Sequence, residues 1–174
     1  MNATPLLKIL LSALNESKLE VIMIGNAGAA ILGAPITTLD FDFLFRKTDT
    51  NLKKLKNVAE LTNSVLMRPY FPVSNLYRLV NDDLGLQADF MTDVHGIKSY
   101  ASLRFRSHEL DLWGFKLMVA DLSDIIKSKK VANREKDRAV IPVLESTLKL
   151  KEPKPKYAKA KTKTKSSPRA KKRK

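Results

Sequence analysis

Cysteine is absent from this 174-residue chain, which rules out both a disulfide framework and a thiolate-bound zinc site. Histidine is almost absent: there are two, His95 and His108. His108-Glu109 lacks the second histidine of a zinc-protease helix, so both are read as turn or surface residues. No apolar run is long enough to cross a bilayer. The first segment, MNATPLLKILLSALNESK, spaces its apolar residues as a helix does and interrupts them with polar ones. It therefore lacks the unbroken core of a signal peptide. A cytoplasmic location without a membrane partner is the expectation. Tryptophan occurs once, at Trp113, and is assigned to the core.

Hydrophobic residues make up 44% of the chain, enough for one proper core. Charge is distributed unevenly. Lysine and arginine number 32 against 18 acidic residues, a net charge of +14. From Lys151 onward there are twelve basic residues and a single acidic one, Glu152. This Lys-, Pro-, Ser- and Thr-rich segment cannot bury enough apolar surface to fold alone. The expected organisation is a domain over 1–150 and a disordered basic tail over 151–174. Such a tail suits a polyanion, RNA before DNA. Its one aromatic, Tyr157, is too little for base stacking, so sequence readout by the tail is not expected.

The stretch from Ile22 to Phe45, IMIGNAGAAILGAPITTLDFDFLF, reads as strand, glycine turn, short helix, loop and strand. Gly25, Asn26 and Gly28 open the helix, whose free N–H groups suit an anion. Gly33 and Pro35 end it. In the second strand Asp40 and Asp42 share one face, while Leu39, Phe41 and Phe43 point into the core. Two adjacent carboxylates repel unless a cation lies between them. A hard divalent ion such as Mg2+ satisfies that need and also takes phosphate oxygens.

The remaining body reads as a helix from Thr4-Pro5 to about Ser17 and another from about Asn51 to Leu61, capped by Thr50. Short strands follow at Val65–Met67 and Leu76–Val80, then a turn over 81–85 and a strand at Leu86–Met91. Two more strands span Glu109–Leu112 and Phe115–Val119. A helix begins at Asp121 or Ser123, and a last one at about Arg134. Asp89 sits between Ala88 and Phe90, where a carboxylate is costly unless it binds metal or pairs with an arginine of the body.

Gly25-Asn26, Thr38-Leu39-Asp40-Phe41-Asp42 and Asp89 together resemble the three signature elements of the nucleotidyltransferase (polymerase beta-like) superfamily. Asn26 replaces the second Gly or Ser of that pattern, and asparagine can also donate to phosphate. Asp124-Ile125-Ile126, Lys129 and Arg134-Glu135-Lys136-Asp137 resemble a segment of the bacterial abortive-infection and toxin–antitoxin branch. The resemblance covers about residues 20–148. It implies an α/β (α+β) fold with a mixed, twisted sheet, here expected to carry its helices on one side.

It also implies metal-dependent transfer of a nucleotide from an NTP to a hydroxyl of RNA (such as tRNA) or protein, with Mg2+ or Mn2+ as cofactor. Asp40, Asp42 and Asp89 would be the catalytic and metal-binding carboxylates. Gly25 and Asn26 would hold the triphosphate. Lys129 would meet the phosphates, with Lys127 and Lys130 as rivals, and Asp137 would orient it or Arg134. An antitoxin partner follows from the same branch. Two alternatives stand beside this one: a catalytically inactive nucleic-acid-binding module, and a small-molecule nucleotidyltransferase, such as one modifying an antibiotic.

Overall fold

The computed structural model describes residues 4–68 and 75–151. They form six helices and one seven-stranded mixed sheet. The elements are α1 (Thr4–Glu16), β1 (Val21–Ile24), α2 (Gly25–Ile31), β2 (Asp40–Phe45), α3 (Asp49–Leu61) and β3 (Val65–Met67). They continue with β4 (Leu76–Asn81), β5 (Leu86–Met91), α4 (Tyr100–Arg106), β6 (His108–Leu112), β7 (Phe115–Val119), α5 (Leu122–Ala132) and α6 (Glu135–Lys151). Strand order is β3-β4-β5-β2-β1-β7-β6. β2 runs parallel to β5 and β1 parallel to β7, and the other neighbours are antiparallel.

The sheet is covered on both faces, which corrects the expectation of helices on one side. One apolar cluster joins Leu7, Leu10, Leu11 and Leu14 of α1 and Leu55 and Val58 of α3 to Val21, Met23, Phe41, Phe43, Phe45 and Phe90. The other joins Ile22, Ile24 and Leu44 to Leu103 of α4, Ile125 and Ile126 of α5 and Leu144 of α6. β1, with four buried apolar residues in a row, feeds both clusters. An uninterrupted apolar strand is what burial on two faces requires.

On the α1/α3 face the aromatic residues interlock. Phe43 stacks on Phe90 at 5.1 Å between ring centroids, and Phe45 meets Tyr77 edge-on at 5.8 Å. These contacts cross β2, β5 and β4 and fix their relative register from behind. The opposite face of the same strands is where the polar side chains emerge.

Three local expectations are revised. Leu39 precedes β2 and is 39% exposed, because the alternation that buries Phe41 and Phe43 begins only at Asp40. Trp113 is 49% exposed: with Gly114 it forms the two-residue turn between β6 and β7, both at positive φ, as a tight hairpin demands. Thr48, not Thr50, caps α3, its Oγ1 accepting from the Asn51 N–H at 3.1 Å. Asp121 caps α5, one of the two residues expected there. His108 is exposed, with Nε2 2.9 Å from Asp121 Oδ2.

The segment 152–174, which contains nearly all of the basic tail, lies outside the described residues; helix α6 runs through Lys151. Among the described residues no helix is long and apolar enough to cross a membrane.

Truncating Phe43 to alanine removes the ring that stacks on Phe90 at the centre of the sheet. It is expected to cost about 3–5 kcal/mol of unfolding free energy, measured by urea denaturation.

Candidate active site

β2 presents Asp40 and Asp42 on the face opposite its phenylalanines. The parallel register sets Asp42 beside Asp89 and Asp40 beside Gln87. Gln87 Nε2 lies 3.4 Å from Asp40 Oδ1. The end of β1 pairs with the same place, Ile24 opposite Asp42, so Gly25 starts α2 directly against the carboxylates. Gly25 has φ +66°, and a Cβ there would collide with Asp42 Oδ2. Only glycine serves at this position, on grounds of both backbone and space.

These residues line a cleft of about 400 Å³ closed on its other side by α5 and α6. Lys129 and Asp137, both buried, enter that wall, and Lys129 Nζ is 3.3 Å from Asp137 Oδ1. Arg134 donates to Asp137 through Nε at 2.6 Å and a terminal nitrogen at 3.3 Å. Burial pushes the Asp137 carboxyl up, but Arg134 and Lys129 outweigh it and hold it below the ordinary range. Asp137 is thus a fixed anion that anchors two cations at the rim of the cleft. Lys127 and Lys130 are exposed, and Lys130 pairs with Glu145 at 2.6 Å, so Lys129 is the lysine of this cluster that faces the site.

All seven residues named from the sequence, Gly25, Asn26, Asp40, Asp42, Asp89, Lys129 and Asp137, line this one cleft. Others there were given no role from the sequence. Arg78 of β4 sits opposite Asp89, and its guanidinium donates to both Asp89 oxygens at 2.7 Å. The two accounts weighed for Asp89 are therefore both present: it stands beside Asp42 and it pairs with an arginine. Gln87 and Lys136 also line the cleft, and Lys136 draws electrostatically on Asp42.

The Asp42 carboxyl, ordinarily near 3.8, is pushed up to about 6. Burial contributes most, then the charges of Asp89 and Asp40, against the pull of Lys129 and Lys136. Burial away from water and the neighbouring carboxylates both disfavour the ionised form, and the nearby lysines offset only part of that. Asn26 adds a second unmet demand, since its Oδ1 is buried and accepts no hydrogen bond among the described residues. An acceptor left so costs about 1–3 kcal/mol.

The carboxylates of Asp40, Asp42 and Asp89, in a cleft that Asn26 also lines, are oxygen donors of the kind a hard divalent ion takes. The fit is incomplete as the side chains stand. Among the described residues no three acidic or histidine side chains are disposed to hold an ion together, and Arg78 occupies both oxygens of Asp89.

No family model matches the chain, and no curated protein matches it in sequence. Solved structures do. The antibiotic-resistance factor ANT(2'')-Ia superposes with a TM-score of 0.60 at 14% identity, over 83% of this chain and 83% of its own. The lincosamide antibiotic adenylyltransferase LnuA, solved with lincomycin bound, gives 0.59 at 13% identity, over 82% of this chain and 96% of its own. A nucleotidyltransferase-like protein from Paracoccidioides brasiliensis gives 0.53 at 16%, over 85% and 76%. The chain therefore has the nucleotidyltransferase fold that the signature residues resemble.

Folding keeps the proton on Asp42 to higher pH than the unfolded chain does, so ionising Asp42 costs stability. The cost is absent below about pH 4, builds as pH rises to about 6 and is complete above that. Asp42→Asn is accordingly expected to stabilise the protein by up to about 3 kcal/mol near pH 7.5 and by less than about 1 kcal/mol near pH 4. Denaturant unfolding at both pH values, in buffer free of divalent ions, checks this.

Proposed function

We propose that the protein is an enzyme that transfers a nucleotide from an NTP to an acceptor hydroxyl with the help of a divalent metal ion, Mg2+ or Mn2+. The observation that carries this reading is the convergence of Asp40, Asp42 and Asp89 with the Gly25-Asn26 turn and Lys129 in one cleft. The residues come from α2, β2, β5 and α5, which the fold brings together.

Asp40, Asp42 and Asp89 would hold the metal. When bound, the ion supplies charge for the attacking and leaving oxygens of an in-line displacement. The glycine at position 25 leaves room for the Asp42 carboxyl to lie against the backbone at the start of α2. Asn26 turns a polar side chain to the same place. Lys129, steadied by Asp137, places a compact cation where charge builds on the departing pyrophosphate. The acceptor oxygen forms its bond to the α-phosphorus as the bond to pyrophosphate breaks, and Asp89 helps to take the hydroxyl proton.

RNA is the acceptor favoured by the basic tail, whose twelve cations would bind a phosphate backbone. A small-molecule acceptor is the second reading. It is supported by the likeness to an antibiotic-resistance factor and to a lincosamide antibiotic adenylyltransferase along most of the length of each. It gives the tail no role.

Incubation with each labelled NTP, Mg2+ and total RNA should place label on RNA. Asp40→Ala should lower the rate at least about a hundredfold. A chain shortened to end at Leu150 should label RNA poorly at moderate salt. Label transfer that survives Asp40→Ala overturns the catalytic assignment. Transfer to small hydroxyl compounds that ignores loss of the tail selects the second reading.

A further inference from the structure

Arg78 stands outside the roles given so far. Arg78, Asp89 and Asp42 form a row across β4, β5 and β2, each opposite the next in register. Both Asp89 oxygens are engaged at 2.7 Å, through Nε and a terminal nitrogen of the same guanidinium. The fork is the strongest arrangement that arginine and a carboxylate can make. It neutralises one of three clustered carboxylates and so relieves part of their mutual repulsion. It also explains why three neighbouring acids do not stand ready around one ion among the described residues.

We propose that Arg78 is a positioning residue that holds Asp89 in reserve and competes with the divalent ion for its carboxylate. The proposal rests on the metal-dependent reading above. Loading the site passes Asp89 from one cation to another. The guanidinium it leaves is 35% exposed in the wall of the same cleft, and the triphosphate is the anion that arrives there with the metal. Arg78 thereby raises the free ion concentration needed to load the site and couples loading to nucleotide.

The test is a Mn2+ titration of the full chain without nucleotide, with free Mn2+ followed by electron paramagnetic resonance. Arg78→Gln should bind Mn2+ about tenfold more tightly than the unmodified protein. The gain should vanish when Asp89→Asn is added. Lys136→Gln removes a cation that acts on Asp42 without touching Asp89, and should tighten binding by no more than about twofold. Arg78→Lys keeps the charge and loses the fork; it should fall between, and it carries the test if the glutamine variant does not fold.

An equal gain from Lys136→Gln, or a gain that persists with Asp89→Asn, overturns the proposal, because a general field would then account for it. Unchanged affinity in Arg78→Gln, with binding lost in Asp42→Asn, overturns it and leaves the metal reading standing. No Mn2+ binding by any variant overturns both.

Discussion

The alternation of β2 is the constraint from which the site follows. Phe41, Phe43 and Phe45 are buried on one face, so Asp40 and Asp42 must emerge on the other. A slip of one residue would place two carboxylates in the aromatic cluster and three phenylalanines in the cleft, which no local adjustment could repair. The stacking of Phe43 on Phe90 extends the same constraint to β5. Because those rings are fixed from behind, Asp42 and Asp89 are held side by side in front. The hydrophobic core thus supplies the energy that keeps like charges together.

Much of this was legible in the sequence, and the reasons are local. Period-two alternation around Asp40 and Asp42, the glycine punctuation at 25, 28 and 33, and the helical stripe of leucines at 7, 10, 11 and 14 act over a few residues each. Even the Arg78–Asp89 pair was within reach. The turn at 82–85 joins Asn81 to Leu86, and counting back along that hairpin sets position 78 opposite 89.

What was not legible is non-local. The parallel pairing of β2 with β5 crosses more than forty residues, and no turn chemistry between them sets its register. Sidedness is not evident from the half-polar strand β2. The four-residue apolar strand β1 carried the better signal, since a strand that buries every residue needs cover on both faces. Trp113 was assigned by residue type, but Gly114 after it marked a tight turn, and a turn residue at positive φ projects outward whatever its size.

The cations around the cleft complete the electrostatic picture. A buried lysine is unstable without a partner, and Asp137 supplies one to Lys129 while also holding Arg134. Asp89 and Arg78 form the matching pair on the sheet side. One wall of the cleft carries Lys129 and Arg134 held by Asp137, the other carries Arg78 paired with Asp89, and Asp42 lies between them with its carboxyl pushed up to about 6. Positive charge is in excess on the helix wall, and negative charge on Asp40 and Asp42 at the foot of the glycine turn. A polyanion alone would be repelled from that point, and a bare cation would find Asp89 already taken. On the reading proposed above, a triphosphate bearing a divalent ion would answer both conditions at once, bringing positive charge to the aspartates and negative charge to Lys129 and Arg78.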